Sequence, residues 1–488
     1  MTDKVSVTPD GLMDGVCHGT QLARWSDCGG LCERRLAPSH FDRRFLPGCA
    51  MNAAMDSSRR WFLQTGLTAA LPFGLSSRLL ANPASALPQP GSAPRSVILF
   101  WLSGGPSQLD MWDPKPLAPS EIRGPFGTIP TAIPGVAFSE HLPRQAAIAD
   151  RLSIVRSVDC RASNHTPITL QAGNPLARRS DDGRDGDGHP SMGSIAAKFR
   201  GPNHPDLPPF VGLAPDWKAD VWEAGHMGSA YAPVEGLKLV GRFGLPQGVQ
   251  VDRLDDRNTL RRSFDRLRSD LDRQESLGRL GRFQQQAFDM VLGGRVQQAF
   301  DISHEPQAVR DEYGDNTIGP KALLARRLVE AGVTFVLVSG AWGYFDHHGD
   351  NVRWGGIEKG LRPLMPHVDQ ALAALVLDLE RRGLLDSTLV LMMGEFGRSP
   401  VINKEAGRDH WTNVMSLVMA GGGLKHGQAI GATDARGGEI VEAAVRPQDL
   451  AATVYRHLEI DLAAHWVNPQ GRPIPIVAEG GRPIPELF

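Results

Sequence analysis

The sequence predicts an α/β fold with a mostly parallel central sheet, helices on both faces and a helical insertion. Three observations predict it. Continuous apolar runs of strand length recur along the chain, segments with helical periodicity lie between them, and polar clusters follow where the runs stop.

The first run, residues 96–102 (SVILFWL), enters Ser103-Gly104-Gly105-Pro106, a loop that ends it sharply and marks a buried parallel strand. A second short strand is expected over 152–158, followed by a loop to Pro175 that holds a short helix over 168–172. Residues 319–331 read as an amphipathic helix with Leu323, Leu324 and Leu328 on one face, and 333–338 as the next buried strand. The pair repeats as helix 367–382 and strand 387–393. A last strand, 416–420, stops at Gly421-Gly422-Gly423, and Pro447 opens a helix over 449–458. Residues 252–310 break this rhythm: Leu267, Leu271, Leu277, Leu280 and Phe283 are spaced as on helices amid dense charge. Such a segment reads as a solvated helical insertion or as a docking element for a protein partner.

Before the first strand the chain reads as an address. Arg59 and Arg60 precede an apolar segment over 66–80, and Ala84-Ser85-Ala86 supplies a small-x-small cleavage site. This is the order of a twin-arginine export signal over 51–86, so a periplasmic or extracellular location is expected. Pro72, Gly74 and Arg78 interrupt the apolar segment, which falls short of the run of about 20 residues that spans a bilayer. Met51 or Met55 is the expected initiator, residues 1–50 an over-called or disordered leader, 87–95 a linker, and 96–488 one domain.

Cysteines follow the same division. Cys17, Cys28, Cys32 and Cys49 all precede the signal and only Cys160 follows it, so no internal disulfide is expected in the exported part. With 52 basic and 54 acidic side chains the net charge is −2, which argues against nucleic acid or an anionic membrane as the main partner.

In open α/β sheets chemistry sits outside the carboxyl ends of the strands. Here those ends carry Ser103, Ser107 and Asp110, then Asp346, His347 and His348, then Glu395, Phe396 and Arg398, with Arg408, Asp409 and His410 close behind. Carboxylate oxygens and imidazole nitrogens are the donors a divalent metal takes, and Asp346, His348 and His410 form an Asp/His/His set. A guanidinium grips phosphate or sulfate with two bonds, so Arg398 and Arg408 are candidates for holding an anionic group, or else for pairing with the loop acids. Ser163, His165 and Thr166 stand before the short helix at 168–172, placed to attack or bind an anion, although Thr166 before Pro167 also suits a helix cap.

Several long motifs carry a family resemblance: VILFWLSGGPSQLDMWDPKP, NHTP, LLARRLVEAGVTFVLV, MGEFGRSPVINKEAGRDHW, GATDARG and PQDLAATVY. From about Arg59 to the end the chain resembles the family catalogued as domain of unknown function 1501, which is similar to the alkaline phosphatase and sulfatase superfamily. That resemblance implies an alkaline phosphatase-like sheet with a metal site at its carboxyl edge, usually two metals and a Ser, Thr or modified Cys nucleophile. It implies Asp346 and His348 as one ligand pair, Glu395 where an Asp ligand follows the strand, and His410 as the later histidine. Two positions depart from the pattern. Phe396 stands where a histidine is usual, and Ser103 rather than Asp follows the first strand, leaving Asp110 as a displaced substitute. The expectation is an exported hydrolase of phosphate or sulfate esters, on an anionic substrate such as a polysaccharide, with Zn, Ca, Mn or Mg as its divalent metal. The alternative is an exported binding protein that keeps the fold without a complete metal site.

Overall fold

The computed structural model describes residues 93–177, 188–240, 294–340 and 343–488. The expected leader, signal and the linker up to residue 92 lie outside the described residues, as does the insertion up to residue 293. Its last part is helical over Gly294–Phe300.

Eight strands form one sheet: β1 (Ser96–Trp101), β2 (Leu152–Val158), β3 (Phe210–Leu213), β4 (Val234–Glu235), β5 (Phe335–Ser339), β6 (Thr388–Met393), β7 (Met415–Gly421) and β8 (Gln428–Ile430). Their order across the sheet is β8-β2-β7-β6-β1-β5-β3-β4. The central strand β1 lies parallel to both neighbours, with Ile98 opposite Val336 on β5 and Val390 on β6. All six of its residues are buried, which is why the run is continuously apolar.

The sheet is mixed, and this refines the expectation of a mostly parallel one. Strand β7 runs antiparallel to both β6 and β2. A parallel step needs a crossover, usually a helix, to carry the chain back across the sheet. Residues 394–414 contain none. They fold instead into a loop with a short ribbon, Gly397–Arg398 against His410–Trp411, so the chain re-enters the sheet from the edge it left. The loop is thereby held at the carboxyl edge, where the polar residues gather.

Helices cover both faces. On one side α4 (Gly319–Ala331) and α5 (Arg362–Arg381) bury Leu323, Leu328, Leu372 and Leu375 against Ile98, Phe100, Val336 and Val338. On the other, α2 (Met192–Phe199) and α6 (Pro447–His457) bury Ile195, Leu450 and Val454 against Val97, Leu99, Trp101 and Leu337. Two shorter helices, α1 (Ile168–Ala172) and α3 (Trp217–Asp220), follow strand ends. Helix α5 starts five residues earlier than the expected residue 367: Pro363 sits at its second position, where no helical N–H bond is lost, and Pro366 is carried inside the helix. The charge density on α4 and α5 is structural: fully buried Arg326 meets Glu305 at 2.8 Å and Asp378 at 2.9 Å.

Candidate metal centre

Four strand ends deliver side chains to one place. The loop after β5 brings Asp346 and His348, the loop after β6 brings Glu395, Phe396, Arg398 and His410, the loop after β2 brings His165, and the loop after β1 packs beneath them. Close approach depends on Gly104, which has a φ of +108° and would place a Cβ 2.4 Å from the Asp346 nitrogen. No other residue fits there. Phe345 N donates to Ser103 O at 2.9 Å, which pins the β5 loop to the β1 loop.

The tightest feature is a triangle of donor atoms. His348 Nε2 lies 2.8 Å from His410 Nε2, 3.0 Å from Asp346 Oδ1, and His410 Nε2 lies 3.1 Å from that same oxygen. His165 approaches the other carboxylate oxygen, with Nε2 3.5 Å from Asp346 Oδ2. Ligand atoms of His165, Asp346 and His410 all fall within 4.8 Å of one another. His347, between two of these in sequence, points inward and donates from Nδ1 to Trp354 O at 3.0 Å.

Of the residues expected as metal ligands, Asp346, His348 and His410 come together and two do not. Asp110 is corrected: Arg408 grips it with two bonds, Nε to Oδ2 at 2.7 Å and Nη2 to Oδ1 at 3.0 Å, and Ser107 adds a third at 2.5 Å. Both partners are buried, so the pair clamps the two loops together, the loop-acid pairing that was the second expectation for Arg408. Glu395 stands one layer behind. Its Oε1 accepts from Gly104 N at 2.8 Å and meets His165 Nδ1 at 2.9 Å, while its buried Oε2 has no hydrogen-bond partner among the described residues.

Of the residues expected to be catalytic, Arg398 pairs with a loop acid. Its side chain is 1% exposed, and its guanidinium serves Gly105 O, Arg408 O, Phe345 O and Asp346 Oδ1 at 2.7–3.0 Å as well as Gly104 O. That network leaves no fork for a substrate and makes Arg398 the residue that ties three loops to Asp346. The hydroxyls beside His165 turn to their own loop: Thr166 Oγ1 donates to Asn164 Oδ1 at 2.6 Å, and Ser163 is buried with Oγ 3.4 Å from Asn164 O. His165 is the member of that trio the fold presents to the cluster. Phe396 lies with its ring centre 4.5 Å from His410 and 5.5 Å from His165, an apolar wall in place of a ligand.

Two residues escaped the sequence reading. Asn403 donates to His348 O at 2.8 Å while its Oδ1 accepts from Glu405 N and Gly407 N, so it shapes the loop beneath the triangle. Its signal was an Asn in a turn-rich stretch, which marks loops generally. Asp220, at the end of α3, is fully buried, and its Oδ2 accepts from Ser339 Oγ at 2.8 Å. Burial pushes its carboxyl up to about 6, against the pull of hydroxyls from Ser103 and Ser339.

Electrostatics separate the members. Burial opposes the charge on Asp346, but hydrogen bonds from His165, His410 and Arg398 outweigh it and hold the carboxyl well below the usual range. Burial likewise pulls His165 down, but hydrogen bonds to Asp346 and Glu395 win and raise it to about 9. His348 moves down, through burial and the Arg398 charge. The raised value makes a prediction. A histidine at 6.5 unfolded and about 9 folded contributes stability fully present below pH 6.5 and lost as the pH climbs through 9. Metal-free protein therefore loses stability to urea across that window, and His165→Gln flattens the slope; equal slopes in the two proteins contradict the assignment.

Residues 94–488 match a family model described as "Protein of unknown function (DUF1501)". No curated protein matches the chain. Among solved structures it is similar to PsFucS1 sulfatase from Pseudoalteromonas sp., at 11% identity over 75% of this chain and 68% of that one with a TM-score of 0.34. It is similar also to the phosphonate monoester hydrolase SpPMH from Silicibacter pomeroyi, at 11% identity over 80% and 76% with a TM-score of 0.34. A third is the soluble domain of lipooligosaccharide phosphoethanolamine transferase A from Neisseria meningitidis, at 11% identity over 77% and 91% with a TM-score of 0.32.

Proposed function

The chain belongs to the DUF1501 family, and from that premise we propose that it is a metal-dependent hydrolase of phosphate or sulfate esters. The observation that carries the reading is the triangle formed by Asp346, His348 and His410. Two imidazole nitrogens 2.8 Å apart, both about 3 Å from one carboxylate oxygen, call for positive charge between them. Donor atoms about 2.1 Å from a divalent ion lie roughly 3.0–3.4 Å apart in an octahedral or tetrahedral shell. The three atoms fit one such ion, held by Asp346, His348 and His410, with His165 outside that set. Two imidazoles and one carboxylate suit a transition-metal ion such as Zn better than the oxygen-seeking Mg or Ca.

A bound divalent ion would polarise the ester and acidify the attacking water. The chain's own residues do the rest. His165, oriented through Nδ1 by Glu395, turns Nε2 toward the cluster and, carrying its proton, donates to the leaving oxygen. Glu395 keeps that ring in place and its charge favours the protonated form. Arg398 holds Asp346 in position from behind, and Phe396 shields the imidazoles from water. The Arg59-Arg60 motif supports export in the folded state through the twin-arginine route, with 96–488 as the working domain.

The test is metal analysis of the purified protein together with hydrolysis of aryl phosphates and aryl sulfates. The expected result is about one divalent ion per chain and turnover that chelation removes and metal restores. No bound metal and no turnover after metal addition leaves the binding-protein alternative. Glu395→Gln is expected to keep the metal and lower kcat about 10–100-fold, since it acts through His165.

A further inference from the structure

On the same edge of the sheet as the histidine cluster lies an open cleft of about 390 Å³ lined by Pro215, Asp216, Trp217, Lys218, Ala219 and Arg353. Its two walls rise from neighbouring strands, β3 and β5. One wall is α3, which follows β3 and ends at Asp220, itself bonded to Ser339 at the end of β5. The other is the loop after β5, the loop that carries Asp346 and His348. Trp354 ties that wall to the site, because its carbonyl accepts from His347 and its indole packs on Gly343.

Each wall packs one of its side chains in place. The Trp217 ring lies over Gly212, where a Cβ would come within 2.6 Å of it, and its Nε1 donates to Glu223 at 2.6 Å. Arg353 rests its guanidinium 4.5 Å from the Trp354 ring, which stacks at 5.1 Å on Tyr344. Lys218 and Arg353 are exposed, and among the described residues neither makes an ion pair. The cleft thus offers two cations and a half-exposed aromatic face against a single lining carboxylate, Asp216.

We infer that this cleft is a recognition subsite for an anionic glycan, binding another ring of the chain whose ester is cleaved. The assignment rests on reading the histidine cluster as the reacting site. An aromatic face packs against the C–H face of a sugar ring, and a fixed guanidinium takes a sulfate, phosphate or carboxylate on that ring with two bonds. The volume is at the low end for a small-molecule site, which suits a short segment of chain in an open groove. A phosphate or sulfate monoester without such a ring would leave the cleft unused.

The test is a titration of the full chain, metal-loaded and metal-free, with dextran sulfate oligosaccharides, followed by tryptophan fluorescence and calorimetry. Unsulfated dextran oligosaccharides and phosphatidylglycerol vesicles serve as the comparison probes. The expected result is binding of the sulfated oligosaccharide, weakened at least about tenfold in Lys218→Glu/Arg353→Glu, with hydrolysis of a small aryl ester unchanged in that variant. Trp217→Phe checks the platform and is expected to cost about threefold to tenfold in binding. Unaltered binding in the charge-reversed variant overturns the subsite. So does equal binding of unsulfated dextran, and so does vesicle binding of similar strength lost in the same variant, which makes the face a lipid contact. Oligosaccharide binding without hydrolysis of any ester keeps the subsite and sinks the hydrolase reading instead.

Discussion

Asp346→Asn is expected to strip the metal from the protein and lower kcat/KM for ester hydrolysis by at least about a thousandfold, the several kcal/mol that a metal contributes to charge stabilisation. The partners in the cluster converge on this one carboxylate. His348, His410 and Arg398 meet Oδ1, and His165 meets Oδ2. An amide at this position presents an N–H to donors and carries no charge, so it satisfies neither the arginine nor a cation. Metal content by mass spectrometry and steady-state rates check the claim; a variant that keeps its metal and works within tenfold of the parent refutes it. A second reading survives even if the protein proves inactive. Losing the Asp346 charge removes one of the two carboxylates that raise His165, so the histidine titrates below about 9 in the variant, which NMR of the imidazole reads directly.

Arg398→Ala is expected to cost about 3–5 kcal/mol of folding stability, the range found when one partner of a buried charge pair is removed. The estimate rests on what the guanidinium serves. Carbonyl oxygens of Gly104, Gly105, Phe345 and Arg408 and the carboxylate of Asp346 all accept from it, and the side chain is buried. Truncation leaves those acceptors without a donor, and an unsatisfied buried polar group costs about 1–3 kcal/mol. Arg398→Lys is not expected to rescue the loss, because an ammonium cannot spread its donors over a planar fork that reaches three loops. Chemical denaturation measures the change; a loss under about 1 kcal/mol in Arg398→Ala shows that the loops do not depend on this clamp.

Much of the frame was legible in the sequence because it depends on local regularities. Strand β2 and helices α1 and α4 fall on the expected residues, and β1, β5, β6 and β7 differ only at their ends. Continuous apolar runs imply burial on both faces, and β1 is buried along its whole length. The direction of β7 was not legible, since it depends on whether residues 394–414 cross the sheet or turn back, and a loop rich in Gly and polar residues permits either.

The candidate site divides in a similar way. Asp346, His348 and His410 could be named from residue type and position after a strand, and they meet. The same signals marked Asp110, Arg398 and Arg408, which turn out to be clamps, because an arginine beside an acid reads alike whether it awaits a substrate or already has a partner. His165 joins the cluster from β2, which stands three places from β1 in the sheet, so no spacing along the chain relates it to Asp346.

By itself the sequence determined the α/β frame, the edge where polar residues collect and the chemical types available there, since apolar run length, helical period and strand-end position are local properties of the chain. Tertiary structure alone decided which acid sits among the histidines, which arginines are spent inside the protein and that an aromatic, cationic cleft opens on the same edge of the sheet. Those outcomes depend on distances of a few ångströms between residues as many as 298 positions apart, as in the Asp110–Arg408 pair, and only the packed sheet sets such distances.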